Sequence, residues 1–572
     1  MTRSSHPHYD CVIRGGTVAD GSGAPLQEAD IGITAGRIEA VGRALPSGAE
    51  EIDARGLLVT PGFVDIHTHY DGQVTWEDTL APSSDHGVTT VLTGNCGVGF
   101  APCRPQDREA LVTLMEGVED LPEVVLSTGL PWSWDDFGSY MDFLDTRSFN
   151  INVAVQVGHA PIRVWAMGER AFDREPATDA ESAVMARTVK DAIRSGAIGF
   201  STSRTLNHKG SDGRLTPSLS AAEAELTAIA RAVGECGAGV LQLISDFDDP
   251  ELEMAMLGRV CAAGGRPMSV SLLQRNRTPD MWLDILRWIE GLNARGMPVL
   301  AQVSDRLIGA LMGLELSENP LARSSAYREI AAVPLGQRVK LLSDSRLRSS
   351  ILSDLEPHRT SFDFDRTFAL GNRPNYEPGP EAFLSARARR LGIDPLGLLY
   401  DLLLEDEGQA VLARYTSNYA GGSLDVCGRM LRHPHTVMGL GDGGAHLGIL
   451  CDSSQPTHLL THWARDRDRD RLPVEAAVAK LSGETAAAIG LTDRGAIAPG
   501  LRADLNVIDF DRLALAAPTV TYDLPAGGRR LRQRAQGYVA TMVGGEIISR
   551  NGEDTGARPG RLVRGEGART IR

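Results

Sequence analysis

Residues 61–71 read PGFVDIHTHYD and residues 87–102 read GVTTVLTGNCGVGFAP. Each block opens as a short, nearly continuous run of Val, Ile, Leu and Phe and ends in side chains that can bind a metal. Uninterrupted apolar runs of this length are what strands of a parallel sheet look like when both faces are buried. Six more follow: INVAVQVGH at 151, AIGFSTS at 197, GVLQLIS at 239, PMSVSLLQ at 267, PVLAQVS at 298 and TVMGLGD at 436. Most are separated by amphipathic helical patterns, such as those at 180–196 and 223–237. Eight such repeats predict an α/β chain built on a (β/α)8 TIM-type barrel over residues 61–490.

The ends of the chain read differently. Short β-branched segments broken by Gly pairs fill residues 1–60, with Ala35-Gly36 placed for a hairpin, and the style returns after 491, with Gly544-Gly545 between two strand-like segments. Neither end has enough strands for a core of its own, so 1–60 and 491–572 are expected to form one split β-sandwich. The seventh and eighth runs lie too far apart for a barrel crossover. An inserted lid over about 307–380, including the stretch GNRPNYEPGP, accounts for the excess.

With 42% hydrophobic and 23% charged residues the chain has the balance of a folded soluble protein. The first ten residues lack the apolar stretch of a secretory signal, and the seven cysteines are odd in number and scattered. A cytoplasmic location is expected from these, with no membrane partner. A net charge of -16 argues against nucleic acid, whose binding needs clustered Lys and Arg. The run RDRDRDR at 465–471 reads as a solvated turn or helix end. The expected partner is a small-molecule substrate, with a homo-oligomer left open.

Alternate residues of a strand share a face, so His67 and His69 are expected to point together into the barrel mouth, the end where barrel enzymes hold their sites. Cys96, flanked by Gly94 and Gly97 after the second strand, and Asp442, in GDGGAH after the eighth, add a sulfur and an oxygen donor. Taken singly, each has a plainer reading as a turn residue or buried thiol. Their convergence on strands one, two and eight, neighbours once a barrel closes, favours a metal site of His67, His69, Cys96 and Asp442.

The blocks PGFVDIHTHYD and GVTTVLTGNCGVGFAP, the GFSTS strand and the segments GDGGAH and ADLNVIDFD resemble the D-aminoacylase, or N-acyl-D-amino-acid deacylase, branch of the amidohydrolase superfamily. The resemblance covers essentially the whole chain. It implies a split β-sandwich, a (β/α)8 barrel, an inserted lid and zinc-dependent hydrolysis of an amide bond. The family also carries a metal-binding His at the end of the fifth strand and a Ser-His-x-Lys motif at the end of the sixth. Here Ile244 and Leu272 stand in the places of the histidines and Gln274 in that of the lysine. One Zn2+ is therefore expected, with a second left open. Such an ion lowers the pKa of its water from ~15.7 to ~7, and Asp442 is expected to act as general base and then general acid.

Other polar residues end strands. His159 is the candidate for polarising the scissile carbonyl; Arg204, Asp246, Gln274, Arg306 and His446 are candidates for substrate binding, with His208 held alongside. Trp132 and Trp134 suit either a pocket wall or loop packing. The leading function is hydrolysis of an amide in a small N-acylated, amino-acid-like substrate. Two alternatives stay open: a cyclic amide, imide or lactone on the same metal, and a non-catalytic, metal-depleted scaffold.

Overall fold

The computed structural model describes residues 8–568. At its centre stand eight parallel strands: β1 (Phe63–Asp65), β2 (Val88–Thr93), β3 (Asn152–Gly158), β4 (Gly199–Arg204), β5 (Val240–Ser245), β6 (Met268–Ser271), β7 (Val299–Val303) and β8 (Thr436–Met438). They pair in chain order. The ring closes just beyond the strands, where Thr68 and Gly443 form a parallel bridge. There Asp442 N donates to His67 O at 2.9 Å and His69 N donates to Gly443 O at 2.8 Å. This is the (β/α)8 barrel expected from the eight runs.

The crossover helices form for readable reasons. Before Asp179–Arg194, Thr178 and Glu181 make a reciprocal capping box, and Met185, Val189, Ala192 and Ile193 supply the buried stripe. Inside the barrel, Val64, Ile66, Leu92, Ala154, Ile198, Val240 and Val437 form an apolar plug at the lower end. Above it the inward positions turn polar, with Gln156 Nε2 donating to Asn95 Oδ1 at 2.8 Å and Gln302 Nε2 to Ser269 Oγ at 2.9 Å. The polar layer is the floor of the candidate site.

Strands from both termini share a single antiparallel-rich sheet, in which Leu505–Ile508 joins Leu58–Pro61 to Tyr538–Val543. The sheet wraps a core drawn from both ends, including Ile31, Ile38, Val59, Leu505 and Met542. Both Gly-containing turns are hairpins with two consecutive positive φ values, Ala35 (50°) with Gly36 (75°) and Gly544 (54°) with Gly545 (79°). The C-terminal part does not stay with this sheet, as a two-part division of the chain would have it. The hairpin Thr519–Leu524 with Gly528–Arg532 crosses to the barrel mouth, where Leu531 N donates to Leu447 O at 2.6 Å. Leu562–Val563 then pairs in parallel with β3.

The insertion between β7 and β8 runs further than 307–380. Its sheet joins Ile308–Met312 to Leu412–Ser417 and Thr367–Ala369, and its separate core includes Leu384, Leu399 and Leu412. The helical patterns after 380 look like those of a barrel crossover, so periodicity could not assign them. The Pro/Asn/Tyr stretch is strapped to the barrel. Tyr376 lies under the Arg306 guanidinium at 4.0 Å, while Glu377 accepts from Arg467 Nε at 2.9 Å and Nη2 at 3.0 Å and pairs with His462 Nε2 at 2.8 Å.

The charge run therefore needs correcting: Arg467 is 5% exposed, pairs also with Asp425 at 2.5 Å and covers the Trp463 ring at 4.4 Å. Removing one partner of a buried pair strands the other charge. Arg467→Ala is expected to destabilise the docked insertion by about 3 kcal/mol, seen as faster limited proteolysis within residues 370–380; cleavage at the wild-type rate would contradict this role.

Candidate metal centre

The mouth brings His67, His69 and Cys96 together, with one donor atom of each within 4.8 Å of the others and all three side chains buried. His67 Nε2 lies 3.2 Å from Cys96 Sγ and 3.5 Å from Asp442 Oδ1, and His69 Nε2 lies 3.8 Å from the same oxygen. Three of the expected donors thus cluster, with Asp442 beside the two imidazoles. They come from β1, β2 and β8 because the bridge that closes the barrel joins the His67–His69 segment to Asp442–Gly443.

The backbone is held in costly conformations here. Cys96 (φ 54°), Leu440 (61°), Asp442 (46°) and His446 (50°) all occupy the left-handed region. Non-glycine residues there cost on the order of 1–3 kcal/mol each and persist because neighbours fix them. Ser201 Oγ accepts from Gly97 N at 2.9 Å and Gln242 Oε1 from Cys96 N at 3.0 Å. A Cβ on Gly94 would meet Gln156 O at 2.1 Å, so glycine is required for the Cys96 loop to lie this close to β3.

Behind the donors stand two residues that sequence reasoning missed. Gln302 Oε1 is 2.5 Å from His67 Nδ1, and Glu119 Oε1 is 3.2 Å from His69 Nδ1. Gln302 hydrogen-bonds the Nδ1 of its imidazole and leaves Nε2 facing the centre, the orienting role that metal-ligating histidines need, whereas Glu119 stands beside His69 Nδ1 without a hydrogen bond. Gln302 had a signal, a lone polar residue within the apolar run of β7. Glu119 had none, because a Glu at the end of an amphipathic helix looks like a surface residue.

The electrostatics ask for a cation. Burial pushes the Asp442 carboxyl up to about 7, reinforced by Asp452 and opposed by His446. Asp65 and Asp71 are likewise raised to about 7 by burial, and Glu119 and Cys96 are raised well above their ordinary values. Burial lowers His67 to about 4, and His69 well below its ordinary range. Asp65 Oδ2, His69 Nδ1 and Glu119 Oε2 are buried without a hydrogen-bond partner. Neutral imidazoles among acids that cannot all ionise unaided fit a divalent ion, and the N, N, S, O donor set is one that zinc accepts.

The remaining candidates are mostly engaged elsewhere. His159 is fully buried, with Nδ1 2.8 Å from Thr202 Oγ1 and Nε2 2.7 Å from Glu225, which also pairs with Arg163 at 2.7 Å. It has no free nitrogen for a carbonyl. Arg204 is held by Glu253 at 2.5 and 3.1 Å and donates to Ala221 O at 2.9 Å. Asp246 accepts from Thr205 Oγ1 and Leu206 N, both at 2.7 Å, and pairs with Arg275 at 2.9 Å. Gln274 clamps the insertion, its backbone N donating to Asn418 Oδ1 at 2.9 Å and its Oε1 accepting from Ala420 N at 3.1 Å. Arg306, 1% exposed, pairs with Asp452 at 2.7 Å. A residue at the end of a strand points into the mouth only on one parity, and the loops beyond it satisfy each other.

His446 does remain at the site, its Nε2 3.7 Å from Glu119 Oε2. Trp134 packs in the core with its indole donating to Phe100 O at 2.8 Å, which is the loop-packing alternative. The residue facing inward at the end of β6 is Ser271, which shares its register position with Gln302, whereas Leu272 lies in the outer core. Ile244 of β5 and Ser271 therefore stand where further donors could have been, and Ser271 Oγ is buried without a partner.

Fold and site together define a (β/α)8 barrel with clustered metal-donor side chains at its C-terminal mouth. Residues 50–549 match the amidohydrolase family, to which the chain belongs. It is 27% identical over 568 residues to a D-aminoacylase of Alcaligenes xylosoxydans xylosoxydans, covering 98% of this chain and 99% of that one. To an N-acyl-D-aspartate deacylase of the same organism it is 27% identical over 566 residues, 97% of this chain and 95% of the other. A solved D-aminoacylase, described as having a binuclear metal centre with one-metal activation and second-metal attenuation, is similar with a TM-score of 0.66 and 25% identity, over 97% of this chain and 100% of that one. Among the described residues, no helix is long and apolar enough to cross a membrane.

The raised acids set a pH signature for the metal-free protein. Asp65, Asp71 and Asp442 keep protons when folded that the unfolded chain releases near pH 4, so their contribution to stability is lost as pH rises through about 7. His67 works in the opposite sense, but only up to its ordinary value of 6.5. Between about pH 6.5 and 8 the acids act alone, so the melting temperature of chelator-treated protein is expected to fall across that window. Zinc loading should flatten the dependence; a metal-free protein that gains stability there would contradict the account.

Proposed function

We propose that the chain is a metal-dependent amidohydrolase that holds one zinc ion through His67, His69, Cys96 and Asp442 and hydrolyses the amide bond of a small N-acylated, amino-acid-like substrate. The observation that carries this reading is the buried meeting of two imidazoles and a thiol, with a carboxyl beside the imidazoles, at the barrel mouth of an amidohydrolase-family chain. A zinc ion bound there supplies Lewis acidity, making water available as hydroxide near neutral pH and polarising the amide carbonyl.

The chain's own residues supply the rest. Gln302 holds the His67 ring through Nδ1, and Glu119 lies beside Nδ1 of His69. Asp442, its side chain 20% exposed, is the donor-set member best placed to meet the substrate. Its carboxylate takes a proton from the attacking water and returns it to the departing nitrogen. With Ile244 and Ser271 at the ends of β5 and β6, the donor set supports a single ion; the one-metal activation described for the related D-aminoacylase agrees with a mononuclear centre.

A second reading, a cyclic amide, imide or lactone on the same ion, has an observation in its favour. Arg204, Arg275 and Arg306 at the strand ends are each neutralised by a carboxylate, and Gln274 is tied to the insertion. The scaffold alternative has less support, since His67, His69 and Cys96 cluster with Asp442 beside the imidazoles.

His67→Ala is expected to lose most of the bound zinc together with activity. Asp442→Asn should retain most zinc while kcat falls by about 10² to 10⁴, and wild-type turnover in that variant would remove Asp442 from proton transfer. Assay of N-acyl-D-amino acids beside cyclic imides and lactams decides the substrate class: turnover confined to the cyclic compounds favours the second reading.

A further inference from the structure

We infer that His208 is a catalytic residue that donates a hydrogen bond from Nε2–H to the carbonyl oxygen of the scissile amide, the role for which His159 is too enclosed. The inference rests on the proposed amide hydrolysis. It starts from Ser203, which is fully buried, lies on β4 two residues beyond Ser201 and so shares its inward face. Ser201 touches the Cys96 loop through Gly97 N at 2.9 Å, and a Cβ on Gly97 would meet Ser203 N at 3.0 Å. Ser203 therefore stands beside the Cys96 loop.

Among the described residues, the only side-chain partner of Ser203 Oγ is His208 Nδ1, at 2.8 Å. A buried hydroxyl proton with no acceptor costs roughly 1–3 kcal/mol. The satisfied arrangement has the hydroxyl donating to Nδ1, which puts the ring proton on Nε2. That nitrogen has no hydrogen-bond partner among the described residues, and the side chain is only partly buried. His446, Asp246 and His67 lie close enough to act on it electrostatically, which agrees with this location. A neutral imidazole offering N–H at the mouth is suited to an oxygen that gains negative charge as the carbonyl is attacked.

The loop that carries His208 is built to hold it still. Asp246 accepts from Thr205 Oγ1 and Leu206 N, both at 2.7 Å. Thr216 N donates to His208 O at 2.9 Å and Ser211 N to Thr113 O at 3.0 Å. The loop rests on the helix that ends in Glu119, so closely that a Cβ on Gly117 would lie 2.2 Å from the Gly210 backbone. Asp246 is thus a positioning residue, which gives that strand-end carboxylate a use other than touching the substrate.

The test has two arms on the zinc-loaded full chain. The first is the nitrogen spectrum of protein labelled with 15N-histidine, in which His208 is assigned by the resonance lost in His208→Gln; a protonated Nε2 with an accepting Nδ1 is expected. The second is kinetics on an amide that the wild type cleaves. His208→Phe should lower kcat by about 10² to 10³ at unchanged zinc content, His208→Gln should keep kcat within about tenfold of wild type because its amide still donates, and Ser203→Ala should fall between them. A proton on Nδ1, or a His208→Phe enzyme within threefold of wild-type kcat, would overturn the inference. A wild-type chain that hydrolyses none of the amides offered refutes the proposed function instead, while the spectrum still decides the tautomer.

Discussion

Two backbone hydrogen bonds, Asp442 N to His67 O and His69 N to Gly443 O, hold this structure's chemistry together. They are the seam at which a sheet of eight parallel strands becomes a closed barrel. Because β1 and β8 end on the same rim, closing the seam also sets His67, His69 and Asp442 within reach of one another and of Cys96 on the neighbouring strand. Metal donors far apart in sequence need no further device to find each other. The left-handed backbone at Asp442 and His446 is tolerated because this seam, and the hairpin strand that reaches Leu447 from the C-terminal region, hold the segment from both sides.

The layer below explains why the donors point as they do. The barrel interior passes from an apolar plug to a ring of Gln, Asn and Ser whose hydrogen bonds are largely mutual. Gln302 belongs to that ring and also to His67, so the packing of the interior is transmitted directly to the orientation of a ligand. Glu119 stands beside His69 Nδ1 from outside the sheet. Burial of this many acids beside neutral imidazoles is unfavourable for a metal-free chain. The same burial that raises the acids makes the pocket a strong attractor for a divalent ion, since a cation relieves the desolvation of several groups at once.

Much of this was legible in the sequence. The eight strands, the hairpin turns at Ala35-Gly36 and Gly544-Gly545, and the gathering of His67, His69 and Cys96 near Asp442 could be read because each depends on local pattern: an apolar run, a positive-φ turn, a ligand-type residue at a strand end. What could not be read depends on pairing across the chain. Arg204, Asp246, Gln274 and Arg306 end strands as expected, but Glu253, Arg275, Asn418 and Asp452 take them out of the pocket, and none of those partners is adjacent in sequence. Leu272 was one position out of register with the inward face, where Ser271 stands. His159 and Arg467 show the same limit from opposite sides, a strand-end histidine absorbed into a buried ion network and a charge-run arginine absorbed into a buried pair.

The central claim is that two imidazoles, one thiolate and one carboxylate share a single ion. X-ray absorption at the zinc edge of the purified protein measures this donor set directly. The account predicts close to one zinc per chain, with a sulfur neighbour at about 2.3 Å and nitrogen or oxygen neighbours at about 2.0–2.2 Å. A spectrum with no sulfur shell, or a protein that takes up no zinc at all, would contradict it.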